Sequence, residues 1–489
     1  MRGMLSRRGI VRLLGMAGAS GVAGAAGVAG ASGTLGGAAP GVGTQKIPGA
    51  AGDLADAIEA LPVLDVHSHA FPALAPVTEE IFLETLALSA WMLDAYFPAA
   101  PGEELTMYEK WRLADEAGRR ELDRKYGIRR QFDAVVSQMR STMFVECLIR
   151  EMAAFLRCKP TLAQVIGARN EYTKGNYWRY VNDLFASVRL EGALVQGGLG
   201  AWTMPEPEDA DFKRNLRMKV HDVATAGAYD LMDEDIPFSD LIARYRADLT
   251  RRAREQGAVA FKSPIVKISG ADVQPTSLEE GERAWNQFRK LSPTDRRRLE
   301  GRTWRPAFAK TLHDAILWET CGLAYELDVP LHIHAGNGEG QDMISTHYPY
   351  KLENVARYPV ELPQKPVQIV LLHAGYPHHM EAAYMAHIFP NVWYDMSVMA
   401  PFANRGLHQR LLETFEVAPL SKVMYGSDAY HLPEFFYLGA KWAKRYVGSA
   451  LGTLVEEGML GTDDALRYAR GILAENARGL HKLKGSAAA

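Results

Sequence analysis

Short apolar runs recur along the chain from about Leu54 onward, and each is followed by a loop and then by a helical pattern. Near-continuous apolar runs, as opposed to strict alternation, are typical of buried parallel strands. We predict strands at Leu61–Val66, Gly192–Val195, Val259–Phe261, Leu331–Ile333, Val367–Leu372, Val392–Tyr394 and Val423–Tyr425. Helical patterns lie between them, for example at Ala307–Glu326 and His378–Phe389. Repeated strand–helix units predict a parallel sheet, and a chain of this length permits a closed (β/α)8 barrel.

Residues 77–190 have a different pattern, which is helical almost throughout. We predict a helical insertion after the first strand that covers the mouth of the barrel. Its aromatic residues are interpreted as the core of the insertion in preference to a ligand cage; they include Trp91, Tyr96, Trp111, Phe132, Phe144, Phe155 and Trp178. A charged helical stretch, with Arg296–Arg298 on a predicted solvated face, runs from Ser277 to Arg305. Residues 51–489 are therefore predicted to form one barrel domain with an insertion.

Residues 1–50 differ sharply from the rest. They open with Ser6-Arg7-Arg8-Gly9-Ile10-Val11-Arg12, and an uncharged Gly/Ala/Val-rich stretch follows from about Gly15 to Ala39. This order is typical of a secretory signal, and the adjacent arginines match the twin-arginine pattern. We predict a leader recognised by the twin-arginine export machinery, cleaved between Ala31 and Ala51, and a periplasmic or extracellular protein. The alternative is a flexible tail or a single anchor, although the stretch has few large apolar side chains for a stable membrane span.

Composition excludes several classes of protein. The 489 residues contain 55 Lys and Arg against 58 Asp and Glu, a balance that argues against a general nucleic-acid binder. The hydrophobic fraction of 47% is ample for a folded core. The three cysteines form no CxxC pair, which excludes a disulfide-dense scaffold and a zinc ribbon. A Cys147–Cys158 bridge is conceivable in an oxidising compartment, but we favour buried free thiols.

The clearest chemical pattern is Asp65-Val66-His67-Ser68-His69, at the end of the first predicted strand. Residues two apart in a strand point to the same side, so His67 and His69 can face one ion. Neutral imidazoles are good ligands for zinc, manganese or iron. A lone HxH is weak evidence, because chance and structural cases are common, so the interpretation depends on what accompanies it.

Polar residues also follow four later strands, where an apolar run gives way to a loop of small residues. They are Lys262, His334, His373 and Asp428. The carboxyl ends of barrel strands are the usual location of catalytic residues. Each residue alone could be a hydrogen-bonded structural group, but their joint placement favours a common site.

Five segments with polar strand-end residues occur in a fixed order, and a sixth segment, Ile472–Arg478, closes the series. The five are Asp65–His69, Phe261–Ser263, His334–Gly336, Leu371–Pro377 and Tyr425–Asp428. This set resembles the metal-dependent amidohydrolase superfamily, in its amidohydrolase-related branch, from about Leu61 to Leu483. Within that branch the chain is most similar to the amidohydrolase domains that some proteins carry fused to glutamine synthetase. Those domains usually have a threonine where this chain has Ala335, so substrate contacts in that loop are expected to differ.

The resemblance implies a distorted (β/α)8 barrel with one or two divalent cations at the carboxyl ends of its strands. His67 and His69 match the first two metal ligands of the family. His334, His373 and Asp428 match the residues after strands five, six and eight. Zinc is the expected cation, and manganese and iron are alternatives.

Two further residues qualify this assignment. Lys262 matches a strand-four lysine that is carboxylated and bridges two cations in binuclear members, a role that single-metal members lack. The number of ions therefore stays open. His332, two residues before His334, is not part of the family pattern and is interpreted as a supporting or structural residue.

The implied reaction is hydrolysis of an amide, lactone or related C–N or C–O bond by metal-activated water. Asp428 is expected to act as the general acid–base, and His373 to bind metal or polarise the carbonyl. Glu339 and Asp342, in the loop after the fifth strand, are candidates for binding a substrate ammonium group, although solvated loop acids are the plainer interpretation. Arg169 in the insertion is a candidate for binding a substrate carboxylate.

Three alternatives stay open. Non-oxidative decarboxylases of the same superfamily use one metal and the same histidines and aspartate, although Lys262 favours hydrolysis. A uronate-isomerase-like activity fits a barrel with a helical insertion, but the match is poorer. An exported metal-binding protein without catalysis is disfavoured by Asp428, because a passive site needs no acid–base group. The expected partner is a small-molecule substrate and not a nucleic acid, and a homo-oligomer is possible.

Overall fold

The computed structural model describes part of the chain, in nine segments. These are residues 52–89, 114–197, 212–228, 231–232, 234–291, 307–336, 347–359, 366–403 and 405–484. The predicted leader, Trp91, Tyr96, Trp111 and Arg296–Arg298 lie outside the described residues, so what was predicted for them stays a prediction.

Eight parallel strands form one sheet in the order β1-β2-β3-β4-β5-β6-β7-β8. They are β1 (Val63–His69), β2 (Leu190–Gly197), β3 (Lys219–Thr225), β4 (Ala260–Ser263), β5 (Leu331–His334), β6 (Ile369–Leu372), β7 (Val392–Asp395) and β8 (Val423–Met424). The first and last strands meet, since Val66 N donates to Tyr425 O at 3.0 Å and Ser68 forms a parallel bridge with Ala429. The predicted α/β barrel is therefore confirmed.

One strand, β3, was not predicted from the sequence. Its residues read Lys-Val-His-Asp-Val-Ala-Thr, and only Val223 and Ala224 are buried. A strand that is partly exposed over its first four residues lacks the continuous apolar run used to identify the others. Pairing with β2 and β4 on either side defines it instead.

The barrel interior is a packed core. Alternate residues of several strands line it, and the last helical segment of the chain packs against them. The strand residues are Leu64, Val66, Leu194, Val223, Ala260, Val370, Leu372 and Met424, and the helical residues are Ala474, Ala477 and Leu480. Since this apolar layer fills the interior below the strand ends, the polar strand-end residues lie at the opposite, carboxyl-terminal side.

Helices occupy the chain between β1 and β2, which confirms the predicted insertion after the first strand. They are α2 (Glu79–Ser89), α3 (Glu116–Tyr126), α4 (Ile128–Arg140), α5 (Met143–Leu156), α6 (Leu162–Thr173) and α7 (Tyr177–Ser187), while α1 (Gly52–Glu59) precedes β1. Thr142, Thr161 and Asn176 cap α5, α6 and α7, because each side chain accepts a hydrogen bond from a backbone N–H of the first turn.

The remaining helices follow the later strands and surround the barrel. They are α8 (Phe238–Arg254), α9 (Ile265–Ser269), α10 (Leu278–Phe288), α11 (Ala307–Leu327), α12 (Glu353–Ala356), α13 (His379–Ile388), α14 (Met399–Phe402), α15 (Gly406–Val417), α16 (Pro433–Glu456), α17 (Thr462–Arg470) and α18 (Asn476–Leu480), with a π-helical turn at Gly471–Glu475. In the described segments, no helix is both long enough and apolar enough to cross a bilayer. Cys147, Cys158 and Cys321 are free thiols.

A buried ion pair joins the insertion to the barrel. Arg169 of α6 places Nε 2.5 Å from Oε1 of Glu434, in the first turn of α16, and both side chains are at most 1% exposed. Tyr180 of α7 donates its hydroxyl to the same carboxylate oxygen at 2.7 Å, and Arg169 Nη1 donates to Leu74 O at 2.9 Å. These bonds link α6, α7, the loop after β1 and the helix after β8.

We expect Arg169→Met to destabilise the protein by about 3–5 kcal/mol, because it leaves the Glu434 carboxylate buried without its cation. Urea unfolding of the variant measures the loss. The matched control is Arg246→Met, which removes a partly exposed ion pair with Glu319 and should cost at most about 1 kcal/mol. Equal losses in the two variants would contradict a docking role for Arg169.

Candidate metal centre

The two histidines of β1 converge on one carboxylate. The Nε2 atoms of His67 and His69 lie 3.1 Å and 3.3 Å from Oδ1 of Asp428. Pairing of β1 with β2 shifts register between Asp65 and Ser68, and such irregularities redirect side chains near functional sites. Both imidazoles therefore lie against the same carboxylate oxygen.

Asp428 and His373 sit on strained backbone at the ends of β8 and β6. Asp428 has φ 55°, His373 has φ 64° and the following Ala374 has φ 55°. A residue other than glycine in this left-handed region costs about 1–3 kcal/mol, and such residues concentrate at functional sites. The backbone N–H of Asp428 donates to His67 O at 2.8 Å, which holds the aspartate beside β1.

His67, His373 and Asp428 form a group that could hold a metal ion. One ligand atom from each lies within 4.8 Å of the others, and all three residues are buried. The ring of His373 is 5.1 Å from that of His67 and 4.4 Å from that of His334. His334 and His69 are therefore neighbours of this three-residue group, and their predicted role as ligands stays a prediction.

Burial keeps these imidazoles neutral. Desolvation, reinforced by the charge of Lys262, lowers the pKa of His67 to about 3. Burial likewise places the pKa values of His334 and His373 well below 6.5. Burial alone would raise the pKa of Asp428, but its contacts with His373 and His67 hold it well below 3.8. Neutral imidazoles beside an ionised carboxylate are the protonation states in which these groups bind metal.

The donor set fits a divalent cation. Both ring nitrogens of His67, and Nε2 of His373, are buried without a hydrogen-bond partner of good geometry, although His67 lies close to Asp428. A buried polar atom without a partner is costly, and a cation would satisfy these atoms. Two imidazoles and one carboxylate, with a position left for water or substrate, are a common zinc arrangement.

Lys262 lies on β4 beside this group and is 3% exposed. Its Nζ donates to Gln196 Oε1 at 3.2 Å, and Gln196 Nε2 donates to Thr225 Oγ1 at 2.9 Å. Burial, and to a lesser extent the nearby charge of Lys262, lowers the pKa values of His67, His69, His334 and His373. Whether it bridges two cations stays a prediction.

Of the three predicted substrate-binding residues, the structure describes Arg169. Glu339 and Asp342 lie outside the described residues. Arg169, interpreted from the sequence as a candidate for a substrate carboxylate, is engaged in the buried pair with Glu434 and has no exposed guanidinium to offer. His332 forms an Nε2–Nε2 contact of 2.8 Å with His481, which is consistent with a structural role.

Two buried aspartates beside the centre were not identified from the sequence. Asp65 accepts from Ser427 N at 2.9 Å and from His67 N at 3.2 Å, and Asp395 accepts from His373 N at 3.1 Å. Burial raises the pKa of Asp65 to about 8 and that of Asp395 to about 7. Asp395 directly follows the apolar run Val392–Tyr394, so the strand-end criterion used for the histidines could have found it.

Comparison with known proteins supports this architecture. Residues 244–482 match a family model described as amidohydrolase, and this range includes Lys262, His334, His373 and Asp428. Protein fluG of Emericella nidulans is 28% identical over 239 residues, which are 47% of this chain and 26% of that protein. These matches support the predicted resemblance of the chain to the amidohydrolase superfamily. The chain thus covers about a quarter of that curated relative, and His67 and His69 precede the range of the family match.

Several solved structures have a similar fold. A protein described as a metal-dependent hydrolase from Lactobacillus casei has a TM-score of 0.66 at 18% identity, covering 88% of this chain and 99% of that one. Glucuronate isomerase from Caulobacter crescentus has a TM-score of 0.57 at 14% identity, covering 88% and 94%. A uronate isomerase from Bacillus halodurans has 0.56 at 10% identity, covering 88% and 96%. At these identities the likeness concerns the fold.

Proposed function

We propose that this protein is a metal-dependent hydrolase that cleaves an amide or a related C–N or C–O bond of a small molecule. The observation that carries the proposal is the buried group of His67, His373 and Asp428, in which neutral imidazoles meet an ionised carboxylate. The family match over residues 244–482 supports an enzyme of the amidohydrolase superfamily.

His67, His373 and Asp428 would hold the cation, with His69 and His334 beside them. A divalent cation bound there lowers the pKa of water toward about 7 and polarises a substrate carbonyl. Asp428, ionised and buried, accepts the proton of the attacking water and returns it to the leaving group. Lys262, in its carboxylated form, would bridge to a second cation, and positive charge beside the developing oxyanion would stabilise the tetrahedral intermediate.

Zinc is the cation that we propose, because imidazole and carboxylate ligands suit it, and manganese and iron remain the alternatives. We also propose that the protein is exported, on the basis of Ser6-Arg7-Arg8 and the Gly/Ala/Val-rich stretch that follows. The order of charged, apolar and small residues in positions 1–50 supports this part of the proposal.

The proposal is tested by measuring metal content per chain on protein purified without chelator. The measurement is made on the wild type and on Lys262→Ala. About two equivalents of metal, falling to one or fewer in the variant, would support a binuclear hydrolase and direct a screen to amides, γ-glutamyl conjugates and lactones. Lys444→Ala is the matched control, because Lys444 is 1% exposed and donates to Glu59 O, away from the site. Metal-free protein that takes up no zinc would contradict the proposal.

A single-metal decarboxylase of the same superfamily is the second candidate. The observation in its favour is that the described residues contain a single group able to hold an ion. One equivalent of metal, unchanged by Lys262→Ala, would favour it over a binuclear hydrolase. Aromatic and unsaturated carboxylates would then be screened, and release of carbon dioxide would identify the reaction.

A further inference from the structure

The imidazole of His373 is held by a chain of hydrogen bonds that starts at Asp395. Ser397 Oγ lies 3.0 Å from His373 Nδ1, and Ser397 Oγ also contacts Asp395 Oδ2. All three side chains are at most 1% exposed. Each heavy atom in the chain therefore has a defined partner, and the positions of the protons can be derived from the donors and acceptors around it.

Asp395 acts as an acceptor at both carboxylate oxygens. Its Oδ1 accepts from Ser397 N at 3.0 Å, and its Oδ2 accepts from His373 N at 3.1 Å. A backbone N–H can only donate, and Asp395 in its carboxylate form has no hydrogen of its own to donate to Ser397. The Ser397 hydroxyl, which has a single hydrogen, consequently donates that hydrogen to Asp395 Oδ2.

Ser397 Oγ then has only lone pairs left for His373. The backbone N–H of His373 lies 3.2 Å from Ser397 Oγ, and Nδ1 lies 3.0 Å from the same oxygen. Nδ1 must therefore carry the hydrogen of this bond. In a neutral imidazole the other nitrogen is then unprotonated, and Nε2 of His373 is buried and makes no hydrogen bond.

We propose that Asp395 and Ser397 are positioning residues that hold His373 as its Nδ1–H tautomer and so keep a lone pair on Nε2. The use of that lone pair, as a ligand or as an acceptor of a substrate proton, rests on the proposed function. The tautomer itself does not, since it follows from hydrogen bonds within the chain. Fixing a ligand's tautomer through its second nitrogen is how proteins orient metal-binding histidines.

Gly426 permits this arrangement. A Cβ atom at Gly426 would lie 2.4 Å from Asp395 Oδ1 and 3.1 Å from Ser397 Cβ. Any larger residue would push the carboxylate away from Ser397, so the glycine before Ser427 allows β8 to pack against the Asp395–Ser397 pair. Asp395 and Ser397 also join the end of β7 to the end of β6, because both contact His373.

A second Asp–Ser pair offers an internal comparison. Asp65 accepts from the backbone of Ser427, whose Oγ accepts from Ala429 N at 2.9 Å. Ser427 Oγ also contacts the Asp65 carboxylate, as Ser397 Oγ contacts Asp395. The hydrogen bonds of Asp65 with His67 N and Ser427, and of Ser427 with Ala429 N, do not involve an imidazole nitrogen. Ser427→Ala is therefore a control that removes a similar buried hydroxyl without touching the chain to His373.

The test is ¹⁵N NMR of metal-free protein labelled at histidine, with His373 assigned by comparison with His373→Gln. The spectra are recorded above the raised pKa of Asp395, about 7. Wild type and Ser427→Ala should show His373 with Nδ1 protonated and Nε2 unprotonated. Ser397→Ala removes the acceptor 3.0 Å from Nδ1 and leaves only Asp428 Oδ2, at 3.7 Å, near that nitrogen. The fraction of His373 in the Nε2–H tautomer should therefore rise in this variant, and Ser397→Thr should restore the Nδ1–H form.

Two outcomes would overturn the inference. One is a wild-type His373 with its proton on Nε2, and the other is a Ser397→Ala protein in which His373 keeps Nδ1–H. Should Ser397→Thr fail to fold, the wild-type, Ser397→Ala and Ser427→Ala spectra still decide the question. Because the measurement uses metal-free protein and no substrate, an inactive or metal-free enzyme would refute the proposed function and leave the tautomer result standing.

Discussion

Replacing Asp428 by asparagine is expected to lower turnover by about 10²–10⁴-fold while leaving the fold intact. The variant removes the ionised carboxylate that lies against His67 and His69, which we propose accepts the proton of water. Asparagine has the same shape and tolerates the left-handed backbone that Asp428 adopts at φ 55°. Turnover is measured on whichever amide, γ-glutamyl or lactone substrate the wild type hydrolyses, and circular dichroism checks the fold.

The control for this variant is Asp314→Asn. Asp314 is also buried, at 2% exposed, but it pairs with Lys310 on α11, away from the strand ends. Turnover of the control should be close to that of wild type, apart from any loss of folded protein. Near-normal turnover of Asp428→Asn would refute the acid–base assignment, because no other carboxylate is in the three-residue group.

Replacing His67 by alanine is expected to remove the metal and the activity together. His67 is the 1% exposed member of the HxH pair, and its neutral imidazole is one of the two nitrogen donors in the group. Loss of a direct ligand should weaken zinc binding by more than the roughly 10–100-fold that loss of a supporting residue costs. Competition with a chromophoric chelator measures the affinity, and turnover is followed in the same samples.

His408→Ala provides the comparison for His67. His408 is hydrogen-bonded to Ser449 between α15 and α16, outside the site, so its loss should leave zinc affinity unchanged. A His67→Ala protein that binds zinc as tightly as wild type would show that the ion is held elsewhere. The proposed function would then lose the observation that carries it.

The barrel could be predicted because most of its strands can be identified from a short local run of apolar residues. Buried parallel strands need apolar side chains on both faces, so a run such as Val370–Leu372 is visible without knowledge of its neighbours. β3 could not be found in this way, since Lys219, His221 and Asp222 are exposed or only partly buried and pairing with adjacent strands defines the element. A rule that requires apolar runs misses a strand of this kind.

The candidate site histidines could be located in the sequence for a related reason. Strand ends are short and local, so a polar residue at the end of an apolar run identifies His334 and His373 directly. Some contacts beside the site are not local: Ser427 bonds to Asp65 across 362 positions of the chain. A long separation along the chain also explains why the role of Arg169 could not be predicted. Its partner Glu434 lies 265 positions away and could not be inferred from the helical pattern around Arg169.

Anomalous diffraction at the zinc absorption edge, from crystals of protein loaded with zinc, locates the bound ion directly. We expect an anomalous peak in contact with His67, His373 and Asp428 at the carboxyl ends of β1, β6 and β8. A zinc-loaded crystal with its peak elsewhere, and none in this group, would contradict the assignment of the metal centre.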